Sequence, residues 1–324
     1  MTSVQSDHQE YPEILGRFAP SPSGRFHVGN IFASLVATLV ADKMILRIED
    51  LDPDRSKQCF IDSVKRDLVW FGFEWVGESI SQSTPDRQEA YRCALSKLEE
   101  VGLIYPCFCS RADLHSARAP HIGEEYIYQN TCKHFTEEER TQRALVRAPA
   151  LRLDVANAPV ERFEDTFQGS CAYDLVNCSG DFIVRRSDGV FAYQLAVVVD
   201  DAACGINSVV RGIDLLASTP KQLFLQETFG YERPIYGHVP IFVDESGRKL
   251  SKRNGDATLD YLIDELHLGP REILGYLAYL SGLIPEFQPM GISELKRFAD
   301  LSQISGKREI LWRAPDRNAM GYYV

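Results

Sequence analysis

The sequence contains no apolar run approaching the roughly 20 residues of a transmembrane helix, although 44% of its 324 residues are hydrophobic. Met1 to Tyr11 are polar and acidic and lack an apolar leader core, so no secretory signal is read there and a cytoplasmic location without membrane association is expected. Positive charge is in deficit as well. The formal net charge of −11 argues against indiscriminate binding to nucleic acid. A nucleic-acid partner would need a local basic face, and the candidate stretches are Arg143 to Arg152, Arg185-Arg186 and Lys296 to Arg317. No internal repeat or low-complexity tract stands out, and the length allows one large core with a second module. No acidic cluster demands a catalytic metal. Cysteine, by contrast, is present eight times, and in a reducing compartment these thiols are expected to be free or metal-bound rather than bridged.

The most informative stretch is Arg17-Phe18-Ala19-Pro20-Ser21-Pro22-Ser23-Gly24-Arg25-Phe26-His27-Val28-Gly29-Asn30. It reads as a short strand ending at Ala19, a tight Pro/Ser/Gly loop, and a helix opening near Gly29-Asn30. A helix N-terminus after a strand is a ready anion site, because unpaired backbone N–H groups point outward there. Small residues let a phosphate approach, and His27 adds a side-chain donor. Far downstream, an apolar stretch from Val239 to Val243 and a turn from Asp244 to Gly247 lead into Lys249-Leu250-Ser251-Lys252-Arg253. Alone, such a basic pentapeptide is a solvated loop. Together the two segments could supply a nest of N–H groups and a mobile lysine loop, preorganised donors for charge on phosphates.

The pair resembles the HIGH and KMSKS signatures of class I aminoacyl-tRNA synthetases. Leu46-Arg47-Ile48-Glu49-Asp50-Leu51-Asp52 with Arg55, and Val209-Val210-Arg211-Gly212-Ile213-Asp214-Leu215, are similar to two runs of the glutamyl synthetases. The resemblance covers the chain from Ile14 to about Leu283. Over Gly180 to Asp201 it is closer still to the glutamyl-Q tRNA(Asp) synthetases, a truncated branch that places glutamate on queuosine.

Alternating patterns indicate strands at Ile14 to Ala19 and Met44 to Ile48 and helices at Ile31 to Asp42, Cys59 to Phe71 and Pro85 to Val101, hence a parallel α/β sheet. The pattern breaks from about Tyr105 to Asp181, where the resemblance implies an insertion. It resumes with a strand from Phe191 to Val199, a strand from Asn207 to Arg211 and a helix from Thr219 to Phe229, and closes with helices at Thr258 to Leu266 and Arg271 to Ser281. The expected fold is a doubly wound, Rossmann-type nucleotide-binding domain with a zinc-bearing insertion and a short helical C-terminal region. Its expected division is a flexible N-terminus (1–13), the first half of the nucleotide-binding domain (14–104), the insertion (105–185), the second half (186–243), and the lysine loop with the helical region (244–324). Only about seventy residues follow the lysine loop, fewer than the roughly 100–150 of a typical domain, so an anticodon-binding domain like that of ordinary glutamyl synthetases is not expected.

Arg17 and Arg211 present planar forks suited to a dicarboxylic amino acid, since a carboxylate taken out of water needs such a partner. The resemblance implies that Arg211 separates glutamate from glutamine, that Glu49 accepts the α-ammonium group, and that Ser21 and Tyr193 complete the pocket. Asp50 and Asp52 are expected to brace the loop. His27 and Lys252 are the expected catalytic groups, and Gly29, Asn30 and Lys249 join them in holding ATP, which arrives with Mg²⁺. Cys107-Phe108-Cys109 places two thiolates on one turn, and Cys132 could close a tetrahedral zinc site. The resemblance implies that Tyr128 supplies the fourth ligand of one structural zinc per chain. His115, His121 and His134 are competitors on chemical grounds.

The resemblance implies a monomer that activates L-glutamate and transfers it to queuosine at the wobble position of tRNA(Asp). Two rivals remain at this point: the catalytic part of a glutamyl synthetase charging the 3′ end of tRNA(Glu), and a silent tRNA- or glutamate-binding paralogue. Intact His27, Lys252, Arg17 and Arg211 count against the second.

Overall fold

The computed structural model describes residues 12–110, 127–250 and 255–316. In chain order, β1 (Leu15–Phe18), α1 (Val28–Val40), β2 (Lys43–Ile48), α2 (Gln58–Trp70) and β3 (Ile80–Ser81) build a parallel sheet of order β1-β2-β3, followed by α3 (Pro85–Glu100). Then come β4 (Ile104–Cys107), α4 (Glu137–Val146), β5 (Ala150–Leu153), β6 (Val160–Asp165), β7 (Gly169–Asp174), α5 (Leu175–Cys178) and β8 (Phe182–Arg185). β4, β5 and β8 form a small antiparallel sheet. After α6 (Tyr193–Ala203), β9 (Ser208–Gly212), α7 (Thr219–Phe229) and β10 (Ile235–Val239), the second large sheet has the order β7-β6-β10-β9, with β6, β9 and β10 parallel.

The two large sheets meet along β1 and β9. Asn207 N–H donates to the Leu15 carbonyl at 3.2 Å, and Asn207 Oδ1 accepts from Leu15 N–H at 2.8 Å. From β1 the chain moves outward through β2 and β3, then returns to β9 on the opposite side. A topological switch point therefore lies between β1 and β9, and ligands of doubly wound sheets sit at the carboxyl ends of the strands at such a point.

Helix α1 shows why these segments fold as they do. Val28, Ile31, Phe32, Leu35 and Val36 recur at helical spacing and are buried, so one face packs into the core while the other is half-buried. Its core extends through Phe18 and Leu46 to the C-terminal region, where α8 (Pro270–Ser281) buries Ile273, Leu274, Leu277 and Ala278. Phe32 meets Phe242 edge-on at 5.3 Å, and Phe242 meets Trp312 at 5.7 Å. Phe242 lies on β11 (Ile241–Val243), which pairs in parallel with β12 (Glu309–Leu311). The short α9 (Ile292–Phe298) lies between α8 and β12 in sequence. Among the described residues, no helix is long and apolar enough to cross a membrane.

One expected element is different. The strand anticipated at Phe191 to Val199 is instead helix α6, with every residue from Leu195 to Asp201 buried. α6 packs against α3, α7 and β8, so its apolar surface is nearly continuous and carries no 3.6-residue alternation. A short apolar run rich in valine then reads as a strand although it is a buried helix.

Candidate active site

A cleft of about 570 Å³ opens at the switch point. Arg17, Ser21, His27, Gly29, Asn30, Glu49, Tyr193, Arg211 and Lys249 all line it, so the structure brings together every cleft residue expected from sequence except Lys252. Lys252 lies outside the described residues.

His27 is the N-cap of α1. Its Nδ1 accepts from Gly29 N–H at 3.1 Å, and Asn30 Oδ1 accepts from His27 N–H at 3.2 Å. Asn30 N–H in turn bonds to the His27 carbonyl at 2.9 Å. The cap thus uses amides that the sequence suggested would be unpaired. What the helix offers the cleft is its positive end and the imidazole. With Nδ1 accepting, a neutral ring carries its proton on Nε2.

At the other wall, the arginines of three adjacent strand ends converge. Arg47, fully buried, donates to Asp201 at 2.5 Å and to Glu49 at 3.4 Å. Arg17 is 3.5 Å from the same Asp201 and donates to the Val210 carbonyl at 3.3 Å. Its Nε is buried without a hydrogen-bond partner among the described residues. Burial raises the pKa of Glu49, while Arg47 and Arg17 act in the opposite direction without cancelling it. Arg211 differs from both. Its Nε donates to His238 Nε2 at 3.0 Å, Nη1 to Tyr193 Oη at 3.2 Å and to Gln222 Oε1 at 2.9 Å, and Nη2 to Thr219 Oγ1 at 2.8 Å. Among the described residues no carboxylate pairs with it, and one of its five N–H donors remains unused by these bonds.

Asp50 accepts from Ser81 Oγ, Ser83 Oγ and Ser83 N–H, and Asp52 accepts from Arg186 at 2.9 Å, so both brace loops. Lys249 Nζ is 2.5 Å from Asp214 Oδ2 across the cleft mouth. Leu250, buried, anchors the start of the lysine loop by donating to the Phe242 carbonyl at 2.9 Å.

Away from the cleft, the sulfur atoms of Cys107, Cys109 and Cys132 all lie within 4.8 Å of one another and form a group that could hold a metal ion. Cys109 Sγ and Cys132 Sγ are 3.5 Å apart. A tetrahedral zinc with Zn–S bonds of about 2.3 Å needs sulfur separations of about 3.8 Å, so the donor set and spacing fit. Tyr128 Oη lies 3.6 Å from Cys107 Sγ and 3.8 Å from Cys109 Sγ and accepts from Cys132 N–H at 2.8 Å. His134 is exposed and does not join the group, and His115 and His121 lie outside the described residues. Burial would raise the Cys107 thiol, but Arg152, donating to its sulfur at 3.1 Å, brings it below the ordinary thiol value. The Cys109 thiol is pushed up to about 12 by burial and by Cys107.

The basic stretches are only partly committed to the fold. Arg152 is turned inward on Cys107, Arg186 pairs with Asp52 and Asp188, and Lys296 donates to the Ala41 carbonyl, whereas Arg143, Arg147, Arg185, Arg297, Arg308 and Arg313 are exposed. Sequence reasoning missed the second row of the cleft. Asp201 follows an apolar run, a position that could have marked it as a buried partner. Asp165, His238, Thr219 and Gln222 carried no such signal.

Residues 13–299 match the family of class I tRNA synthetases (E and Q), catalytic domain. The chain is 41% identical to a glutamyl-Q tRNA(Asp) synthetase of Nitratidesulfovibrio vulgaris, over 85% of this chain and 89% of that one. It is also 41% identical to the glutamyl-Q tRNA(Asp) synthetase of Symbiobacterium thermophilum, over 90% of this chain and 94% of the relative. A glutamate-tRNA synthetase from Elizabethkingia anophelis superposes with a TM-score of 0.77 at 22% identity, covering 93% of this chain and 68% of that chain, which establishes a shared fold. The strand order, the cleft at the switch point and these matches lead to one assignment: the chain belongs to the glutamyl-Q tRNA(Asp) synthetases, a family of class I tRNA synthetases with ligase activity.

Proposed function

We propose that the protein activates glutamate with ATP and transfers the glutamyl group to queuosine at the wobble position of tRNA(Asp). The observation that carries the first half is Arg211, a buried cation whose bonding partners at the cleft are all neutral. A buried charge without a counter-ion favours an anionic ligand. Glu49 offers the complementary site for an ammonium group, and Arg17 adds a second cation. An amino acid with a carboxylate side chain meets all three.

In this reading, an α-carboxylate oxygen of glutamate attacks the α-phosphorus, the bond to the β-phosphate oxygen breaks, and pyrophosphate leaves. The positive end of α1, the His27 imidazole, Lys249 and Lys252 meet the charge that develops on the phosphates, and Gly29 and Asn30 leave room for their approach. Lys249 must give up Asp214 to do so. Mg²⁺ enters with ATP and neutralises phosphate charge. Ser21 and Tyr193 complete the amino-acid pocket. In the second step a hydroxyl of the queuosine ring attacks the glutamyl carbonyl and AMP leaves. The acceptor rests on the names of the relatives.

Cys107, Cys109, Tyr128 and Cys132 would hold one structural zinc, bracing the segment between the two halves of the nucleotide-binding fold. The same reading places the protein in the cytoplasm as a monomer. Labelled glutamate offered with tRNA(Asp), with and without queuosine, and with tRNA(Glu) tests the whole reading. Label on queuosine-containing tRNA(Asp) alone is expected. Label on tRNA(Glu) instead would refute the acceptor, and absence of glutamate-dependent pyrophosphate exchange would refute the activation step.

A further inference from the structure

Behind Arg211 lies a buried polar chain that the activation chemistry does not use. Strand register creates it. His238 of β10 is paired with Arg211 of β9, and β10 also pairs with β6 through Tyr236 and Asp165. His238 has no exposed surface and Asp165 almost none. Asp165 Oδ1 accepts the backbone N–H groups of Phe167, Gln168 and His238, each at 3.0 Å, and Oδ2 lies 2.5 Å from His238 Nδ1. On the far side of the ring, Arg211 Nε donates to His238 Nε2 at 3.0 Å. An arginine Nε–H can only donate. Nε2 therefore presents its lone pair, and the ring proton sits on Nδ1 facing Asp165.

Two consequences follow for Arg211. The bond to Nε joins those from the two Nη atoms in holding the guanidinium against turning about its own stem. An uncharged ring also separates Asp165 from the guanidinium. Direct contact with Asp165 would close an ion pair, and any incoming carboxylate would have to displace it. Burial is the main influence holding the imidazole below its ordinary pKa, Arg211 acts in the same direction, and Asp165 opposes both.

We propose that His238, with Asp165 setting its tautomer, is a positioning residue for amino-acid recognition that orients the Arg211 fork and leaves its charge open for the substrate's side-chain carboxylate. The inference rests on the glutamate reading above, and its test separates the two. Pyrophosphate exchange by the full chain is measured with glutamate or glutamine varied at saturating ATP. A wild-type protein that fails to exchange with glutamate ends the glutamate reading itself. With an active wild type, His238→Leu should raise the KM for glutamate about 10- to 100-fold, the worth of a hydrogen bond to a charged group. The KM for ATP should stay in place, and the preference for glutamate over glutamine should shrink. His238→Gln puts an amide oxygen near the place of Nε2 and should recover most of the loss. Asp165→Asn can turn its NH₂ toward Nδ1, drive the ring proton to Nε2 against Arg211, and so behave like His238→Leu. In ¹⁵N-labelled wild-type protein the His238 ring should show a protonated Nδ1 and a bare Nε2. An unchanged glutamate KM in folded His238→Leu, a glutamine variant no better than the leucine one, or a proton on Nε2 in the wild type would each overturn the proposal. If His238→Leu does not fold, the wild-type tautomer decides.

Discussion

Replacing Arg211 by alanine removes the one buried cation of the cleft that has no carboxylate partner among the described residues. Truncating one member of a buried, hydrogen-bonded charge pair costs about 2–5 kcal/mol, which corresponds to about 30-fold to several-thousandfold in the KM for glutamate. The KM for ATP should hold, because the contacts of Arg211 lie with Tyr193, Thr219, Gln222 and His238, away from the His27 cap. The same change takes a donor from those four groups, of which Thr219 and His238 can still bond to each other at 3.2 Å, and each buried orphan that remains costs up to about 1–3 kcal/mol unless water enters the vacated space. Thermal unfolding must therefore be recorded alongside activity. Arg211→Lys separates the two effects. It keeps the charge but replaces the planar fork by a compact ammonium with three donors, and an intermediate KM is expected. The assay is pyrophosphate exchange with glutamate, then ATP, varied at saturating partner, repeated with glutamine. A folded alanine variant with wild-type glutamate KM, or one in which both KM values rise together, would refute the reasoning.

Burial raises the Glu49 pKa above its ordinary 4.5 despite Arg47 and Arg17, and below that pKa the neutral carboxyl cannot pair with an ammonium. The KM for glutamate should therefore rise as pH falls, with a midpoint above 4.5, and Glu49→Gln should lack this limb. If Lys252 meets charge that develops in the transition state, as proposed, Lys252→Ala should lower kcat about 100- to 1,000-fold at nearly constant glutamate KM; a rise in KM with kcat intact would point to ground-state binding. Purified protein should carry about one zinc per chain. Cys109→Ser should release it and lower transfer to tRNA more than pyrophosphate exchange. Tyr128→Phe removes only the oxygen, and metal content unchanged in that variant would place the fourth ligand elsewhere.

Much of the fold is legible because local pattern and tertiary burial agree. In α1 the buried residues are the ones at helical spacing, and the His27–Asn30 box closes its start. In α7 the segment Thr219–Phe229 carries Pro220 in its first turn and a left-handed Gly230 just beyond its end, so both limits are written in residue types. α6 fails for the opposite reason. It lies among other elements, burial surrounds it, and the periodicity that distinguishes a helix from a strand disappears. The conversion of the His27 turn into a cap was hidden as well, because it depends on the direction of one imidazole nitrogen.

The front of the site was legible and its back was not, and strand register accounts for the difference. Arg17, Arg47 and Arg211 stand on β1, β2 and β9, and their motifs stand out because a basic residue at the end of an apolar strand is costly unless partnered. The partners come from far along the chain. Asp201 serves Arg17 and Arg47 together, and Asp200 lies 3.9 Å from Arg47, to which Glu49, a near neighbour in sequence, adds a third carboxylate. Asp165 reaches Arg211 only through His238, which stands between them. Pairing is thus closed at Arg47, looser at Arg17, whose nearest carboxylate is 3.5 Å away, and left open at Arg211, through residues 165 and 238 that share no motif. In the proposed reading, this opening is what selects the ligand. On that reading an added carboxylate would gain most at Arg211 and an added ammonium at Glu49, and a dicarboxylic amino acid spanning the two would leave its α-carboxylate for the end of the cleft that His27 lines.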